Sequence, residues 1–135
     1  MKELVEEYYR KMDSLKGDYS QMTQVFDPDM KFHFPGIPSP LSLESFQGIA
    51  QSIYQGFGDF QHQIEDVVID GDKIACRLSI TGTHTGVFQD IPATHQSVAI
   101  NAITIFRTNN EKLAEHWISV DMLGILTQIG ALPSN

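Results

Sequence analysis

The main change in the spacing of apolar residues, from a helical period to an extended one, comes at Phe60. Before that point they recur every three or four positions, as in helices that bury one face. We predict three helices here: one that ends at Gly17, one capped by Asp18 and one capped by Ser42. Glycine inside a helix costs about 1 kcal/mol relative to alanine, so Gly48 predicts a close approach in the third helix.

Alternating polarity dominates the second half, where several segments have the pattern of strands. The predicted strands are residues 30–34, 60–69, 73–84, 97–107 and 113–120. Asp70-Gly71 is a strong signal for a two-residue hairpin, and residues 108–110 form a second turn. Residues 86–94 are predicted to be irregular, and residues 123–129 to form a short terminal helix.

Helices followed by a four-stranded antiparallel meander predict an α+β fold, in one domain spanning residues 1–135. A long sheet twists strongly enough to curl. N-terminal helices packed on its concave side would therefore enclose a cone-shaped internal pocket. Pockets of this kind bind small hydrophobic molecules.

Composition narrows the partners and the compartment. The net charge of −8 argues against nucleic acid and anionic membrane as partners, because both attract clustered Lys and Arg. The single cysteine, Cys76, excludes an internal disulfide and fits a reducing compartment. Residues 1–7 are acidic, unlike a signal peptide, and no apolar run approaches the roughly 20 residues of a membrane span. We therefore expect a cytoplasmic protein.

A carboxylate, an imidazole and an indole lie close together near the end of the chain, at Asp121, His116 and Trp117. Asp121 precedes the terminal helix, where aspartate is a favoured N-cap. Buried among apolar groups, its pKa would rise and suit it to acid/base catalysis. Strand alternation places Trp117 and Asp121 on one face and His116 on the other. The direction in which His116 points stays open.

Two motifs carry a resemblance to a known family: Gly-Thr-His-x-Gly-x-Phe at residues 82–88, and Glu-His-Trp-x-x-x-Asp at residues 115–121. Both resemble the SnoaL-like polyketide cyclase family of the nuclear-transport-factor-2-like superfamily. The resemblance implies a cone-shaped α+β barrel with a closed hydrophobic pocket, a homodimer, and no metal or organic cofactor. Characterised members close a ring in an aromatic polyketide by intramolecular aldol condensation. The resemblance further implies that Asp121 is the general acid/base.

Other candidate residues follow from their positions on the predicted elements. Alternation points His84 to the apolar side of its strand, either as a proton relay or as a satisfied histidine at the strand end. Asn101 either orients a substrate carbonyl or bonds to backbone. The predicted site comprises catalytic Asp121 and His84, with substrate-binding His33, Phe46, Ile53, Tyr54, Asn101 and Trp117.

Two functions are compatible with the sequence. The first is a cofactor-independent lyase or isomerase acting on a hydrophobic carbonyl compound, with aldol cyclisation closest to the family. Allylic isomerisation, hydration and dehydration also stay open. The alternative is a non-catalytic module that binds a lipophilic ligand or acts through a dimer surface. Thr104 favours the alternative slightly, because it replaces a pocket histidine of a characterised cyclase.

Overall fold

In the computed structural model, which describes residues 1–132, three α-helices pack against one six-stranded mixed sheet. The helices are α1 (Lys2–Ser14), α2 (Leu43–Gly56) and α3 (Met122–Gln128). The strands are β1 (Phe26–His33), β2 (Leu41–Ser42), β3 (Gln61–Asp70), β4 (Lys73–Thr83), β5 (Ser97–Asn109) and β6 (Lys112–Val120). The α+β prediction is confirmed.

The sheet has the strand order β2-β1-β6-β5-β4-β3. Strands β3 to β6 form the predicted antiparallel meander. The structure adds β1, which runs parallel to β6, and β2, which pairs antiparallel with β1. The sheet is strongly curved but open, so the cone is completed by helices instead of a closed barrel.

The helices form where the apolar spacing predicts them. Helix α1 buries one stripe of side chains, and beside this stripe the half-buried Glu7 and Lys11 form an ion pair at 2.8 Å. The buried stripe is Val5, Tyr8, Tyr9 and Met12. Helix α2 begins as predicted, because the hydroxyl of Ser42 accepts a hydrogen bond from the backbone N–H of Ser45 at 3.1 Å.

Two predictions about the first half are wrong. The helix predicted after Asp18 is a single 3₁₀ turn at Tyr19–Gln21, because Asp18 caps only Ser20 before the chain turns toward β1. A side chain at Gly48 would contact nothing within 4 Å, so no neighbour approaches there. The close approaches occur instead at Gly56 and Gly86, beyond the helix interior.

Strand β1 begins at Phe26, four residues before the predicted start at Met30. Pro28 lies within it, and the pairing with β6 is irregular between Phe26 and Lys31. Proline has no N–H to donate, which explains why pairing is interrupted at this point and resumes beyond it.

The core fills the space between the concave face of the sheet and the three helices. Alternate residues of β4 and β5 are buried, as the period of two requires. The opposite, outer face carries exposed apolar side chains, including Ile103 and Ile105. None of the helices between residues 1 and 132 has the length and apolar content needed to cross a membrane.

Candidate functional site

An interior cavity of about 50 Å³ lies between the helices and the concave face of the sheet. This volume holds a few water molecules. Its wall comprises Tyr8, Tyr9, Met12, Phe34, Phe46, Ile53, Phe57, Phe60, His62, Leu78, Ile80, Phe88, Ala102, Thr104, His116, Ile118, Val120, Met122 and Ile125. The few polar groups among these apolar side chains are therefore the ones that would orient a ligand.

His116 is the most unusual of these polar groups. Its ring is 2% exposed and stacks on Phe106 with the ring centres 3.9 Å apart. Neither ring nitrogen has a hydrogen-bond partner among the described residues. Burial, with a smaller contribution from electrostatic coupling to the nearby His62 and His33 rings, holds the pKa of His116 well below its usual 6.5. The neutral ring thus offers one unused N–H donor and one unused lone pair at the cavity.

Tyr9 and Thr104 supply a second polar point on the wall. The Tyr9 hydroxyl and the Thr104 hydroxyl lie 3.0 Å apart and hydrogen bond to each other. Burial raises the pKa of Tyr9 well above its usual value, so the phenol stays protonated. Each hydroxyl keeps further capacity to accept a hydrogen bond from a ligand.

An aspartate and a histidine meet where α1 ends and β3 begins. The carboxylate of Asp13 accepts hydrogen bonds from the backbone N–H of His62 and from its Nδ1, both at 2.8 Å. It also accepts the hydroxyl hydrogen of Tyr54 at 2.5 Å. Burial and the charge of Asp13 raise the pKa of Tyr54 far above its usual value, so Tyr54 remains a donor. Helices α1 and α2 and strand β3 are joined at this carboxylate.

Asp121 is exposed at the start of α3. Its carboxylate accepts a hydrogen bond from the backbone N–H of Gly124 at 2.8 Å, the N-cap geometry that the sequence allows. It borders a shallow depression of about 270 Å³ on the outer surface. Its neighbours Val120 and Met122 line the interior cavity, so Asp121 lies beside the cavity without facing it.

His84 points inward, as the alternation predicts, and is fully buried. Its Nδ1 accepts a hydrogen bond from the backbone N–H of Thr94 at 3.2 Å, and the Thr94 hydroxyl lies 2.9 Å from the same nitrogen. The ring stacks on Phe57, while Nε2 has no partner among residues 1–132. His84 is not part of the cavity wall and holds the following loop in place.

Three other predicted binding residues lie on the outer face of the sheet: His33, Asn101 and Trp117. Trp117 stacks on His33, whose Nε2 lies 2.6 Å from Glu115. Asn101 borders the shallow surface depression beside Asp121. The alternation of side chains along β6 correctly places Trp117 and His116 on opposite faces. The structure shows that His116 is on the inner face and Trp117 on the outer one. The structure therefore does not bring these three residues together with the cavity.

The remaining predicted binding residues belong to α2. Phe46 and Ile53 line the cavity. Tyr54 is buried but directs its hydroxyl to Asp13, outside the cavity wall. The helical spacing of apolar residues therefore identifies Phe46 and Ile53 as part of the cavity wall. It does not predict the direction of the Tyr54 hydroxyl.

The glycine-rich motif docks a loop onto the end of α2. The backbone N–H groups of Thr85 and Gly86 both donate to the carbonyl of Gly56, at 3.0 and 3.1 Å. A Cβ at Gly86 would lie 2.1 Å from the carbonyl oxygen of Gln55, which excludes any side chain. Phe88 then packs against Phe57 and closes one end of the cavity. Packing against the end of α2 accounts for Gly86 and Phe88 of the motif.

Asp13, His62 and Tyr9 are site residues that sequence reasoning misses. His62 is in phase with Phe60 in the sequence, but nothing near it along the chain supplies a partner. Asp13 follows Tyr9 by four residues and so lies on the same face of α1. The pairing of Asp13 with His62 spans 49 residues and is visible only in the fold. Across residues 1–132, no three His, Cys, Asp or Glu side chains are close enough to hold a metal ion.

Comparisons with known proteins agree with this architecture. IdmH from Streptomyces antibioticus, provisionally named a polyketide cyclase, is 26% identical, with a TM-score of 0.85 over 96% of this chain and 97% of that one. AclR from Streptomyces galilaeus, provisionally named a hydroxylase, is 24% identical, with a TM-score of 0.85 over 98% and 96%, and supports the fold alone. No curated protein sequence matches significantly.

A further structure comes from Bacillus cereus and is provisionally named a polyketide cyclase. It is 25% identical, with a TM-score of 0.79 over 96% of this chain and 80% of that one. Residues 6–129 match the sequence model described as SnoaL-like polyketide cyclase, which covers nearly the whole chain. The chain belongs to the SnoaL-like polyketide cyclase family.

Proposed function

We propose that the protein catalyses an acid/base conversion of a hydrophobic carbonyl compound, as a lyase or isomerase related to the polyketide cyclases. The substrate occupies the interior cavity with its carbonyl oxygen at His116. Proton transfer next to a carbonyl needs only an acid/base side chain and a donor to the oxygen, so the proposal includes no cofactor.

The observation that carries this proposal is the unpartnered ring of His116. A buried polar group without a hydrogen bond costs about 1–3 kcal/mol of folding free energy, so such groups are uncommon, and His116 differs from His84 in having both nitrogens unpartnered and in lining the cavity. A ligand oxygen accepting the N–H of His116 would offset that cost. Because the ring is neutral, its hydrogen bond strengthens as negative charge develops on the oxygen, which is the requirement for stabilising an enolate.

The cavity must enlarge to accept such a ligand, because binding sites for drug-sized molecules are typically about 300–1,000 Å³. Five of its apolar wall residues are only partly buried: Phe34, Ile53, Ile118, Val120 and Met122. Methionine is flexible, and Met122 belongs to the short helix α3, which lies at this side. Outward movement of these side chains would admit a ligand while leaving His116 in place.

The acid/base group that the family resemblance implies is Asp121. In this structure its carboxylate is exposed and caps α3. Movement of α3 that opens the cavity would also move Asp121, since it directly precedes Met122. Asp121 therefore stays a candidate for proton transfer, in competition with groups already on the cavity wall.

The test uses 2-tetralone, an apolar bicyclic ketone whose hydrogens beside the carbonyl exchange through an enolate. Proton NMR follows deuterium incorporation in D₂O with wild-type protein and with His116→Phe. We expect wild-type protein to accelerate exchange, and His116→Phe to lower that acceleration by about 10²–10³-fold, the usual effect of losing one oxyanion donor.

The matched control is Val68→Ala, because Val68 is 65% exposed on the outer face of β3. It should exchange the ketone at the wild-type rate. Absence of any acceleration by wild-type protein, with no binding of the ketone, would contradict the proposal.

The alternative function is ligand binding without catalysis. It is favoured by the engagement of Asp121 as a helix cap, which leaves that carboxylate with a structural role. In this case 2-tetralone would bind to wild-type protein but would exchange its hydrogens no faster than in buffer. Binding and exchange measured on one sample therefore distinguish the two functions.

A homodimer and a cytoplasmic location are also part of the proposal. The strand register places Val68, Ala75, Ile105 and Trp117 in one row across four strands of the outer face. Val68 and Ile105 of this row are exposed, and neighbouring exposed apolar side chains are typical of an interaction surface. Light scattering should give twice the chain mass, and Ile105→Glu should give the single mass. The free buried thiol of Cys76 supports a reducing compartment.

A further inference from the structure

Asp13 and His62 form a second acid/base centre, in addition to the polar groups at His116 and Thr104. Asp13 occupies the last turn of α1, and His62 is the second residue of β3. Their side chains are 18% and 7% exposed, so water competes little for their hydrogen bond. Tyr54 fixes the carboxylate from the third side. The carboxylate is therefore held in one orientation by three donors.

This orientation determines which nitrogen of His62 carries hydrogen in the neutral ring. A carboxylate only accepts hydrogen bonds, so Nδ1, at 2.8 Å from Asp13, must be the protonated nitrogen. Nε2 is left with its lone pair. Nε2 has no hydrogen-bond partner among residues 1–132. It nevertheless keeps some accessible surface, unlike the nitrogens of His116.

His62 also lies at the boundary between two spaces. With Tyr9, it lines both the interior cavity and an open polar groove of about 1110 Å³ between α1 and β3. The Tyr9 and His62 ring centres are 4.8 Å apart, and Phe60 packs edge-on against the imidazole. The ring is thus fixed by packing as well as by Asp13, with one accessible nitrogen.

We infer that His62, oriented by Asp13, is the catalytic base for the reaction, with Asp13 and Tyr54 as positioning residues. This inference rests on the proposed function. Nε2 takes a proton from the carbon next to the substrate carbonyl. The electron pair of that C–H bond forms the enolate double bond, and the carbonyl pair moves to the oxygen. The imidazolium is stabilised by Asp13 and protonates the enolate carbon, which balances the step; in D₂O it first exchanges its proton for a deuteron at Nε2, so deuterium enters the ketone.

The experiment compares four proteins in the 2-tetralone exchange assay: wild type, His62→Gln, Asp13→Asn and Asp121→Asn. Losing a general base typically lowers a rate by about 10²–10⁴-fold, and we expect this for His62→Gln. Asp13→Asn presents an amide to Nδ1, which favours hydrogen on Nε2, so it should lose a comparable factor. Asp121→Asn tests the competing carboxylate: a wild-type rate in this variant supports His62 as the base. Melting temperatures establish that each variant is folded.

Two readouts separate catalysis from a structural role. Imidazole added to His62→Ala should restore exchange in proportion to its concentration, since a structural defect would not respond to a soluble base. The ¹⁵N chemical shifts of His62 in wild-type protein should show hydrogen on Nδ1, and in Asp13→Asn on Nε2. Hydrogen on Nε2 in neutral wild-type protein would overturn the inference.

The two proposals fail in different ways. If wild-type protein accelerates exchange and His62→Gln does so equally well, His62 is not the base, while the proposed function stands. Loss of exchange in Asp121→Asn alone would assign the base to Asp121 instead. If wild-type protein neither binds 2-tetralone nor accelerates its exchange, the proposed function itself fails, and the catalytic role of His62 fails with it.

Discussion

Replacing His116 with phenylalanine should make the protein more stable while it removes function. The substitution keeps a planar ring against Phe106 and deletes two nitrogens that have no partner among the described residues. An unsatisfied buried polar group costs about 1–3 kcal/mol of stability, so removing it stabilises the protein. The larger phenyl ring fits the packed core less well and offsets part of this gain. We expect the free energy of unfolding to rise by about 1–2 kcal/mol near pH 7.5.

Acidification should increase the difference in free energy of unfolding between His116→Phe and wild-type protein. The pKa of His116 in the folded protein is well below 6.5, so only the unfolded chain takes up this proton as the pH falls through 6.5. Wild-type protein therefore loses stability below that pH until the folded-state pKa is reached. The loss from this one group amounts to about 1.4 kcal/mol between pH 7.5 and pH 5.5. His116→Phe should not show this acid-induced loss of stability.

The assay is urea denaturation of both proteins across this pH range, compared at equal chain concentration. His95→Asn is the control, because His95 is exposed and its positive φ of 60° is one that asparagine adopts readily. It should retain the acid-induced loss. Parallel stability profiles for wild type and His116→Phe would refute the neutral, unpartnered state of His116.

Two further predictions concern stability alone. Asp121→Asn should leave the melting temperature nearly unchanged and Asp121→Ala should lower stability by about 1 kcal/mol, since asparagine caps a helix as well as aspartate does. An equal loss in both variants would show that the charge contributes more than the cap. Gly48→Ala should stabilise by about 0.5–1 kcal/mol, because a side chain there meets open space. Gly86→Ala should destabilise by at least about 1–3 kcal/mol, because its Cβ would lie 2.1 Å from the Gln55 carbonyl oxygen. Calorimetry of Gly48→Ala and Gly86→Ala should therefore show a rise in melting temperature for the first and a fall for the second.

Local patterns predict the parts of this fold that depend on neighbours in sequence. The cap at Ser42 is found where the residue types favour it. The hairpin predicted at Asp70-Gly71 is present, but its turn lies one residue later, at Gly71-Asp72, because Asp70 still pairs with Lys73. The pairing of β1 with β6 is parallel and joins residues far apart in sequence, so no pattern of neighbouring residues predicts it. The helix predicted after Asp18 is reduced to one turn, although Tyr19 within it is buried.

The candidate site is harder to predict for the same reason. Alternation places Trp117 and His116 on opposite faces of β6, but the choice of the inner face depends on which side α1 and α2 cover. The size of the indole favours Trp117 as the pocket residue, whereas the structure stacks it on His33 outside. The Asp13–His62 contact needs α1 and β3 to meet, which no spacing along the chain encodes.

The most direct test of the central claim is to locate the bound ketone by NMR. In ¹³C-methyl-labelled protein, 2-tetralone should shift the methyl signals of Leu78, Ile80 and Ile118, which line the interior cavity, and the ring signals of His116. Methyl signals of Ile103 on the outer face should stay unchanged. Shifts confined to Ile103 and its neighbours, with His116 unaffected, would contradict binding of a carbonyl compound at His116.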